Sequence, residues 1–235
     1  MVPSALAKAG VSRLFFDIFV RVPSNCRALP TPVKNDSRPL FPRLGAWLFR
    51  RRTSIPIPLA LALLLIPAGA SSSRLLPAVG VALVLAAESL RLWAVHHIGV
   101  ISRTRSDRLG PLVSTGPFAL VRNPLYLGNI ALWVGFAASA RILWLVPVFI
   151  FVLALEYHAI VRWEEELLES RRGDEYRAYA ARVPRWIPSV VSRPLTVDGR
   201  LSTFSWRETL FSERGTLIAI ALGYLLLWIK DGVWR

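Results

Sequence analysis

The chain has 235 residues, of which 54% are hydrophobic, and it carries a formal net charge of +14 at pH 7. This apolar fraction excludes a soluble multi-domain protein, so we expect one membrane-embedded unit. The single cysteine, Cys26, excludes a disulfide framework and a CxxC metal site. The positive charges lie between apolar segments, and no nucleic-acid-binding motif is recognisable. We therefore expect the lipid bilayer, and no nucleic acid, as the partner of these charges.

The N-terminal segment differs in composition from the rest of the chain. Residues 1–43 are basic and punctuated by proline, and their apolar run Leu14–Val20 is interrupted by Asp17. That run is shorter than the ~20 residues of a membrane-crossing helix, and no cleavage site of a signal peptide follows it. We predict that residues 1–43 are poorly ordered or lie on the membrane surface. Residues 44–235 are predicted to form a single membrane domain.

Five apolar runs follow, and they predict an all-α fold of about five transmembrane helices arranged in hairpins. The runs are Ile55–Ala70, Leu75–Val95, Pro124–Ala140, Ile142–Val161 and Thr216–Ile229. Tight turns are predicted at Ser71–Arg74 and at Arg141. With five spans, 24 of the 29 lysines and arginines fall on one side of the membrane. Because the loops of membrane proteins that carry most lysines and arginines are usually cytoplasmic, this side, which includes the N-terminus, is predicted to be cytoplasmic. Whether the short last run crosses the membrane or lies along it stays open.

Ionisable residues stand inside or beside the second run. Glu88 and Arg91 are three residues apart and therefore lie on one helix face, either as a functional site or as a structural ion pair. His96-His97 begins a predicted loop that extends to Val121. The two histidines have no partner at metal-ligand spacing, so we predict an interfacial or capping role and no metal site. The charged part of this loop, SRTRSDR, is interpreted as solvated or facing lipid headgroups.

A turn-rich stretch, VSTGPFALVRNPLYLGN, stands between the apolar runs. Gly116-Pro117 indicates a turn, because glycine permits unusual dihedral angles and proline fixes φ. Pro124 is suited to the first turn of a helix, and the Asn123 side chain is expected to cap that helix. Arg122 adds a fixed charge beside the positive end of the helix dipole. These residues predict a small anion-binding site at the mouth of a membrane helix.

Two sequence segments resemble the motifs of one enzyme superfamily. GPFALVRNPLYLGN resembles the GPYRYVRHPxYxG signature of the isoprenylcysteine carboxyl methyltransferase and phospholipid methyltransferase superfamily. EEELLESRRGDEYRAYAARVPRWIP, at Glu164–Pro188, is similar to the EExxLxxxFGxxYxxYxxxVPR pattern of the same superfamily. The order and spacing of the two segments also match, and the resemblance extends over residues 75–190. The resemblance implies an integral-membrane enzyme that uses S-adenosylmethionine. The distribution of positive charge separately predicts that both motif regions face the cytoplasm.

The resemblance also implies which residues form the site. The residues predicted to bind the cofactor are Gly116, Pro117, Arg122, Asn123, Pro124, Tyr126, Gly128, Glu164, Glu165, Tyr176 and Tyr179. All of these except Asn123 match the two motifs. The residues predicted to act in catalysis are Glu165, Arg162 and Arg185, of which Arg162 lies outside the motifs. Carboxylates can accept hydrogen bonds from ribose hydroxyl groups or pair with the cofactor's ammonium group, and arginine can hold its carboxylate. Methyl transfer otherwise requires mainly an in-line approach in a site that excludes water.

Two departures from the superfamily pattern leave alternatives open. Asn123 replaces a histidine, which puts an acid–base role of that position in doubt, and Arg172 replaces an aromatic residue. Gly128 can equally be a packing residue, and Glu164–Glu166 can be a solvated charged face. The acceptor is expected to be lipid-soluble or lipid-attached, with its reacting atom undetermined. An NADPH-dependent membrane reductase of the sterol-reductase type and a non-catalytic membrane scaffold are the competing interpretations.

Overall fold

The computed structural model describes residues 40–51, 54–69, 74–103, 112–189 and 205–233. These residues form helices and no strand, which confirms the all-α prediction for the described part of the chain. The predictions for residues 1–39, the turn at 71–73 and the loop from residue 104 to 111 lie outside it. The helices are α1 (Leu40–Arg51), α2 (Pro56–Leu65), α3 (Leu75–Arg103), α4 (Pro117–Leu120), α5 (Pro124–Ser139), α6 (Leu145–Arg172), α7 (Asp174–Arg182) and α8 (Trp206–Val233).

Three of these helices are long and apolar enough to cross a membrane. They are the Leu75–Ile98 part of α3, all of α6 and all of α8. The helices α2 and α5 are also apolar, but they have 10 and 16 residues, fewer than the ~20 that a span needs. The chain is thus an integral membrane protein by the character of its helices. The count of five spans and the orientation in the membrane stay predictions.

Two helices extend beyond the apolar runs that predicted them. The predicted loop from His96 is wrong at its start, because α3 continues to Arg103. The side chain of His97 is held within the helix, where Nδ1 donates a hydrogen bond to the carbonyl oxygen of Trp93 at 2.9 Å. Likewise α8 begins at Trp206, ten residues before the predicted start at Thr216. The additional residues are charged, so the hydropathy pattern did not include them in the helix. Glu213 of that stretch is only 2% exposed, because it has a buried partner on α3.

The helices α3 and α5 approach each other closely at small residues. A Cβ atom added to Gly80 would lie 2.4 Å from Ser139 Oγ and 2.6 Å from the carbonyl oxygen of Gly135. The small residues Gly135 and Ser139 of α5 therefore allow a close approach, and Gly80 is their counterpart on α3. Without a hydrophobic driving force inside the bilayer, such backbone contact is a main source of helix association.

Replacing Gly80 with alanine should lower the melting temperature of the purified protein by about 5 °C. The added methyl group would overlap backbone atoms, which cannot rotate away as a side chain can. Overpacking of this kind lowers the free energy of unfolding by ~1–3 kcal/mol. Thermal unfolding in detergent measures the effect. Gly232→Ala is the matched control, because a Cβ at Gly232 meets nothing within 4 Å. Equal melting temperatures of the Gly80→Ala variant and the wild type would contradict this account.

The helix α6 connects the membrane part of the fold to the motif region. It follows α5 after the predicted turn at Arg141, which has a positive φ of 59°. It then runs without a break to Arg172, where Gly173 (φ 51°) ends it and α7 begins. The predicted turn at Arg141 is therefore confirmed. The glutamates of the second motif consequently stand on the same continuous helix as the apolar run 145–161.

Candidate cofactor site

The segment after α7 lies against the turn that precedes α5. The backbone N–H of Arg122 donates to the carbonyl oxygen of Pro184 at 2.9 Å. The backbone N–H of Ser189 donates to the carbonyl oxygen of Leu120, also at 2.9 Å. These two hydrogen bonds hold the two motif segments side by side, although more than 60 residues separate them in the chain. Their junction is the candidate cofactor site.

Asn123 helps to make this junction in a way that the sequence did not predict. The helix α5 begins at Pro124 as expected, but the Asn123 side chain makes no capping hydrogen bond. Its Nδ2 atom donates instead to the carbonyl oxygen of Arg185 at 3.2 Å. The predicted cap is therefore wrong, because the Asn123 side-chain amide donates its hydrogen bond to a backbone carbonyl oxygen of the second motif. The first backbone N–H groups of α5 have no side-chain cap from Asn123.

Glu165 joins two arginines at the centre of the site. Its Oε1 atom accepts a hydrogen bond from Arg122 Nη1 at 2.8 Å. Its Oε2 atom accepts one from Arg185 Nη2 at 2.6 Å, and Arg185 Nε lies 3.0 Å from Oε1. The side chains of Arg122 and Glu165 are each 14% exposed, and that of Arg185 is 26% exposed. Because these pairs are largely shielded from water, they are stronger than exposed ion pairs.

The charges of this cluster do not balance. Two guanidinium groups meet one carboxylate, and hydrogen bonding to Glu165 raises the pKa of Arg185 above its usual value. Since a guanidinium group keeps its charge in proteins, the group of three carries an excess of one positive charge. Arg122 Nε is buried and has no hydrogen-bond partner among the described residues. A buried donor without a partner is costly, so the cluster suits an anionic ligand group that takes up this N–H.

Tyrosines surround the cluster on two sides. Tyr126 donates its hydroxyl hydrogen to Glu164 Oε1 at 2.9 Å, so Glu164 also faces α5. Tyr179 donates to the carbonyl oxygen of Phe118 at 2.8 Å and thereby holds α4. Burial, with the nearby charge of Glu165, raises the pKa of Tyr176 to about 12. Tyr176 and Tyr179 of α7 are both buried beside the cluster, and their hydroxyl groups stay protonated at neutral pH.

Gly116 stands at a position that only glycine fits well. Its φ is 59°, in the left-handed region that other residues avoid. A Cβ there would also lie 2.5 Å from the Nε2 and Cδ2 atoms of His97. His97 thus forms one side of the Gly116-Pro117 turn, a role that sequence reasoning missed because it placed the histidines in a loop.

Two predicted site residues lie apart from the Glu165 cluster. Gly128 faces α3, where a Cβ would lie 2.6 Å from Arg91 Cγ, so this glycine makes room for a protein side chain. Arg162 is exposed on α6. The other predicted residues line the junction or its walls: Gly116, Pro117, Arg122, Asn123, Pro124, Tyr126, Glu164, Glu165, Tyr176, Tyr179 and Arg185.

Arg91 is the centre of a second polar cluster, buried between α3, α5 and α8. It pairs with Glu88 at 3.2 Å, as the sequence indicated, and with Glu213 at 2.5 Å. It also donates to Thr216 Oγ1 at 3.0 Å and to the side chain of Asn129. The predicted pair is therefore one part of a larger cluster that ties three helices together. Sequence spacing carries no signal for the partners on α5 and α8.

An apolar cavity of about 350 Å³ opens between α5 and α6, beside the candidate site. Its lining residues are Leu127, Ile130, Phe151, Ala154, Leu155, His158 and Trp186. Trp186 directly follows Arg185, and its ring stacks with that of His158 at a centroid distance of 6.5 Å. One end of the cavity is therefore next to the Glu165 cluster. The size and lining suit a hydrocarbon chain.

Comparison with known proteins gives a family match for the central part of the chain. Residues 75–174 match the phospholipid methyltransferase family. Over these residues the chain belongs to that family. The match contains the whole of α3, α5 and α6 and both glutamates of the candidate site. The superfamily resemblance inferred from the two motifs is thereby confirmed. No solved structure matches the chain.

Curated relatives each match a part of the chain. The nickel-cobalt-cadmium resistance protein NccN of Alcaligenes xylosoxydans xylosoxydans is 36% identical over 98 residues, which are 42% of this chain and 43% of that protein. The cobalt-zinc-cadmium resistance protein CzcN of Cupriavidus metallidurans is 33% identical over 98 residues, 42% of each chain. An uncharacterized protein of Haemophilus influenzae is 41% identical over 63 residues, 27% of this chain and 79% of that protein. The chain thus spans less than half the length of the two resistance proteins.

Proposed function

We propose that this member of the phospholipid methyltransferase family transfers a methyl group from S-adenosylmethionine to a lipid-soluble or lipid-attached acceptor, in the manner of isoprenylcysteine carboxyl methyltransferases. The observation that carries the proposal is the contact of Glu165 with both Arg122 and Arg185. These residues come from two separate motifs and meet at one junction. The family match over residues 75–174 supports the same activity.

The polar groups of the junction fit the cofactor's charged and polar groups. The excess positive charge of the Arg122–Glu165–Arg185 cluster suits the carboxylate of S-adenosylmethionine, and the buried Arg122 Nε is a donor in need of an acceptor. Glu164, held by Tyr126, is placed to accept hydrogen bonds from an ammonium or ribose hydroxyl group. The bound cofactor supplies the electrophilic methyl group. The protein's own part is to orient the cofactor and keep water away.

The apolar cavity gives the acceptor a place beside the cofactor. A hydrocarbon chain between Ile130 and Leu155 would place its polar end near His158 and Trp186. From there the polar end is adjacent to Arg185, whose guanidinium group belongs to the cofactor cluster. An acceptor that reaches the site from the bilayer brings little water with it. Burial of the apolar chain supplies binding free energy away from the reacting atoms.

Calorimetric titration of the detergent-purified protein should show binding of S-adenosylmethionine and no binding of NADPH. Affinity of the order of 1–100 μM is expected, because the cluster offers a few charge-assisted hydrogen bonds in a partly shielded site. S-adenosylhomocysteine should compete, since it keeps the carboxylate, ammonium and ribose groups. Binding of NADPH alone would move the chain to the reductases. If a folded protein bound neither S-adenosylmethionine nor NADPH, the result would contradict the proposal and favour the scaffold interpretation.

A further inference from the structure

The helix α1 packs lengthwise on α6, at the level where α6 changes from apolar to charged. Gly45 lies against the carbonyl oxygen of Ala159, and the ring of Phe49 lies 4.9 Å from that of Trp163. From the first contact to the second, the position advances by four residues on α1 and by four residues on α6. The two helices therefore run side by side in the same direction. The C-terminal end of α1, at Arg51, is therefore level with Glu165 and the candidate cofactor site.

The outer face of α1 combines apolar, aromatic and cationic side chains. Leu44 is 42% and Trp47 51% exposed, and Arg50 and Arg51 are also exposed. The guanidinium carbon of Arg51 lies 5.4 Å from the centre of the Trp47 ring, within the range of a cation–π contact. We call these four residues the α1 stripe. Among the described residues, no acidic side chain pairs with the two arginines of this stripe.

The order of side chains along the α1 stripe follows the order of layers in a membrane surface. Tryptophan is enriched where hydrocarbon meets headgroups. Trp144, the residue before α6, and Trp163 on α6 mark the two ends of the apolar run. A helical rise of 1.5 Å per residue separates them by about 28 Å. That distance matches the hydrocarbon thickness of a bilayer, ~30 Å. Trp47 lies near the Trp163 level, so Leu44 falls on the hydrocarbon side of it and Arg51 on the headgroup side.

We propose that the α1 stripe binds the phosphate groups of anionic phospholipids. Arg50 and Arg51 pair with the headgroup, Trp47 lies in the interface, and Leu44 contacts the acyl chains. The positive charge of the stripe complements an anionic lipid surface and repels a second copy of this chain, whose net charge is also strongly positive. This lipid site is separate from methyl transfer and stands whether or not the chain is an enzyme.

Native mass spectrometry of the detergent-purified full chain, titrated with a phosphatidylglycerol or with a phosphatidylcholine of the same acyl chains, tests the proposal. The wild type should bind phosphatidylglycerol more tightly. The double variant Arg50→Gln/Arg51→Gln should lose about 25-fold in phosphatidylglycerol affinity, which is about fivefold for each charge. Its phosphatidylcholine affinity should change little. Arg177→Gln is the matched control, because Arg177 is exposed but paired with Asp174 and Glu169.

The charge-keeping variant Arg50→Lys/Arg51→Lys separates a lipid contact from structural damage. It should retain most of the phosphatidylglycerol affinity, since lysine still attracts phosphate. An equal loss in the lysine and glutamine variants would overturn the proposal, because charge would then not be the cause. Unchanged phosphatidylglycerol binding in the glutamine variant would overturn it as well. So would a glutamine variant that keeps its lipid but loses an oligomer present in the wild type, because the stripe would then hold a second copy.

Discussion

Replacing Glu165 with glutamine should lower both the affinity for S-adenosylmethionine and the rate of methyl transfer by about 100-fold. Glutamine keeps the shape of the side chain but removes the charge that holds Arg122 and Arg185 together. Two guanidinium groups then repel each other in a site that is mostly shielded from water. A loss of ~3 kcal/mol is expected, the size of one or two charge-assisted hydrogen bonds. Calorimetry gives the affinity, and transfer of a radiolabelled methyl group to extracted lipid gives the rate.

Glu169→Gln is the matched control for this experiment. Glu169 is on the same helix, one turn beyond Glu165, but it is half exposed and pairs with the exposed Arg177. Exposed pairs of this kind contribute little, so the control should bind and transfer as the wild type does. A Glu165→Gln variant within threefold of the wild type in both measurements would remove Glu165 from the site.

Replacing Arg91 with methionine should lower the melting temperature in detergent by about 10 °C. The methionine fills much of the space, but the carboxylates of Glu88 and Glu213 lose their cationic partner in a buried position. Removal of one partner from a buried ion pair costs ~3–5 kcal/mol. Because the cluster lies between α3, α5 and α8, the loss loosens three helices at once. Thermal unfolding followed by circular dichroism measures it.

A variant that also carries Glu88→Gln and Glu213→Gln should recover most of this loss. The neutral amides remove the uncompensated charges, and replacing a whole buried ionic cluster is often tolerated. Two results are incompatible with this account: an Arg91→Met variant as stable as the wild type, or a triple variant less stable than Arg91→Met alone.

Features with local causes could be predicted from the sequence. Proline fixes φ and lacks an N–H, so Pro124 was identified as the start of a helix. Gly173 breaks a helix because it takes a positive φ, and the turn at Arg141 follows from a polar residue between two apolar runs. Each of these signals depends only on neighbours in the chain. The alternation of apolar runs and charged segments likewise predicted a helical membrane protein.

Features that depend on distant partners could not be predicted. Glu213 is buried in helix α8, where Arg91, 122 residues earlier in the chain, neutralises its charge. The side-chain amide of Asn123 does not cap the helix that follows it; it donates a hydrogen bond to a carbonyl oxygen 62 residues later in the chain. Motif resemblance named Arg122, Glu165 and Arg185, but spacing alone does not show that one carboxylate joins both arginines. His97 was assigned to a loop because its contact with Gly116 is also made across the fold.

The continuity of α6 links the candidate site to the thickness of the surrounding lipid. The rise from Leu145 to Glu165 is about 30 Å, and the helix has no break along this length. Membranes thinner or thicker than an apolar segment change its tilt. A change of about 10° in tilt displaces the far end of a 30 Å rod by about 5 Å sideways, more than the length of any hydrogen bond to Glu165. We therefore expect the acyl-chain length of the lipid to affect the distance between Arg122, which precedes the short helix α5, and Glu165, which lies on the long helix α6.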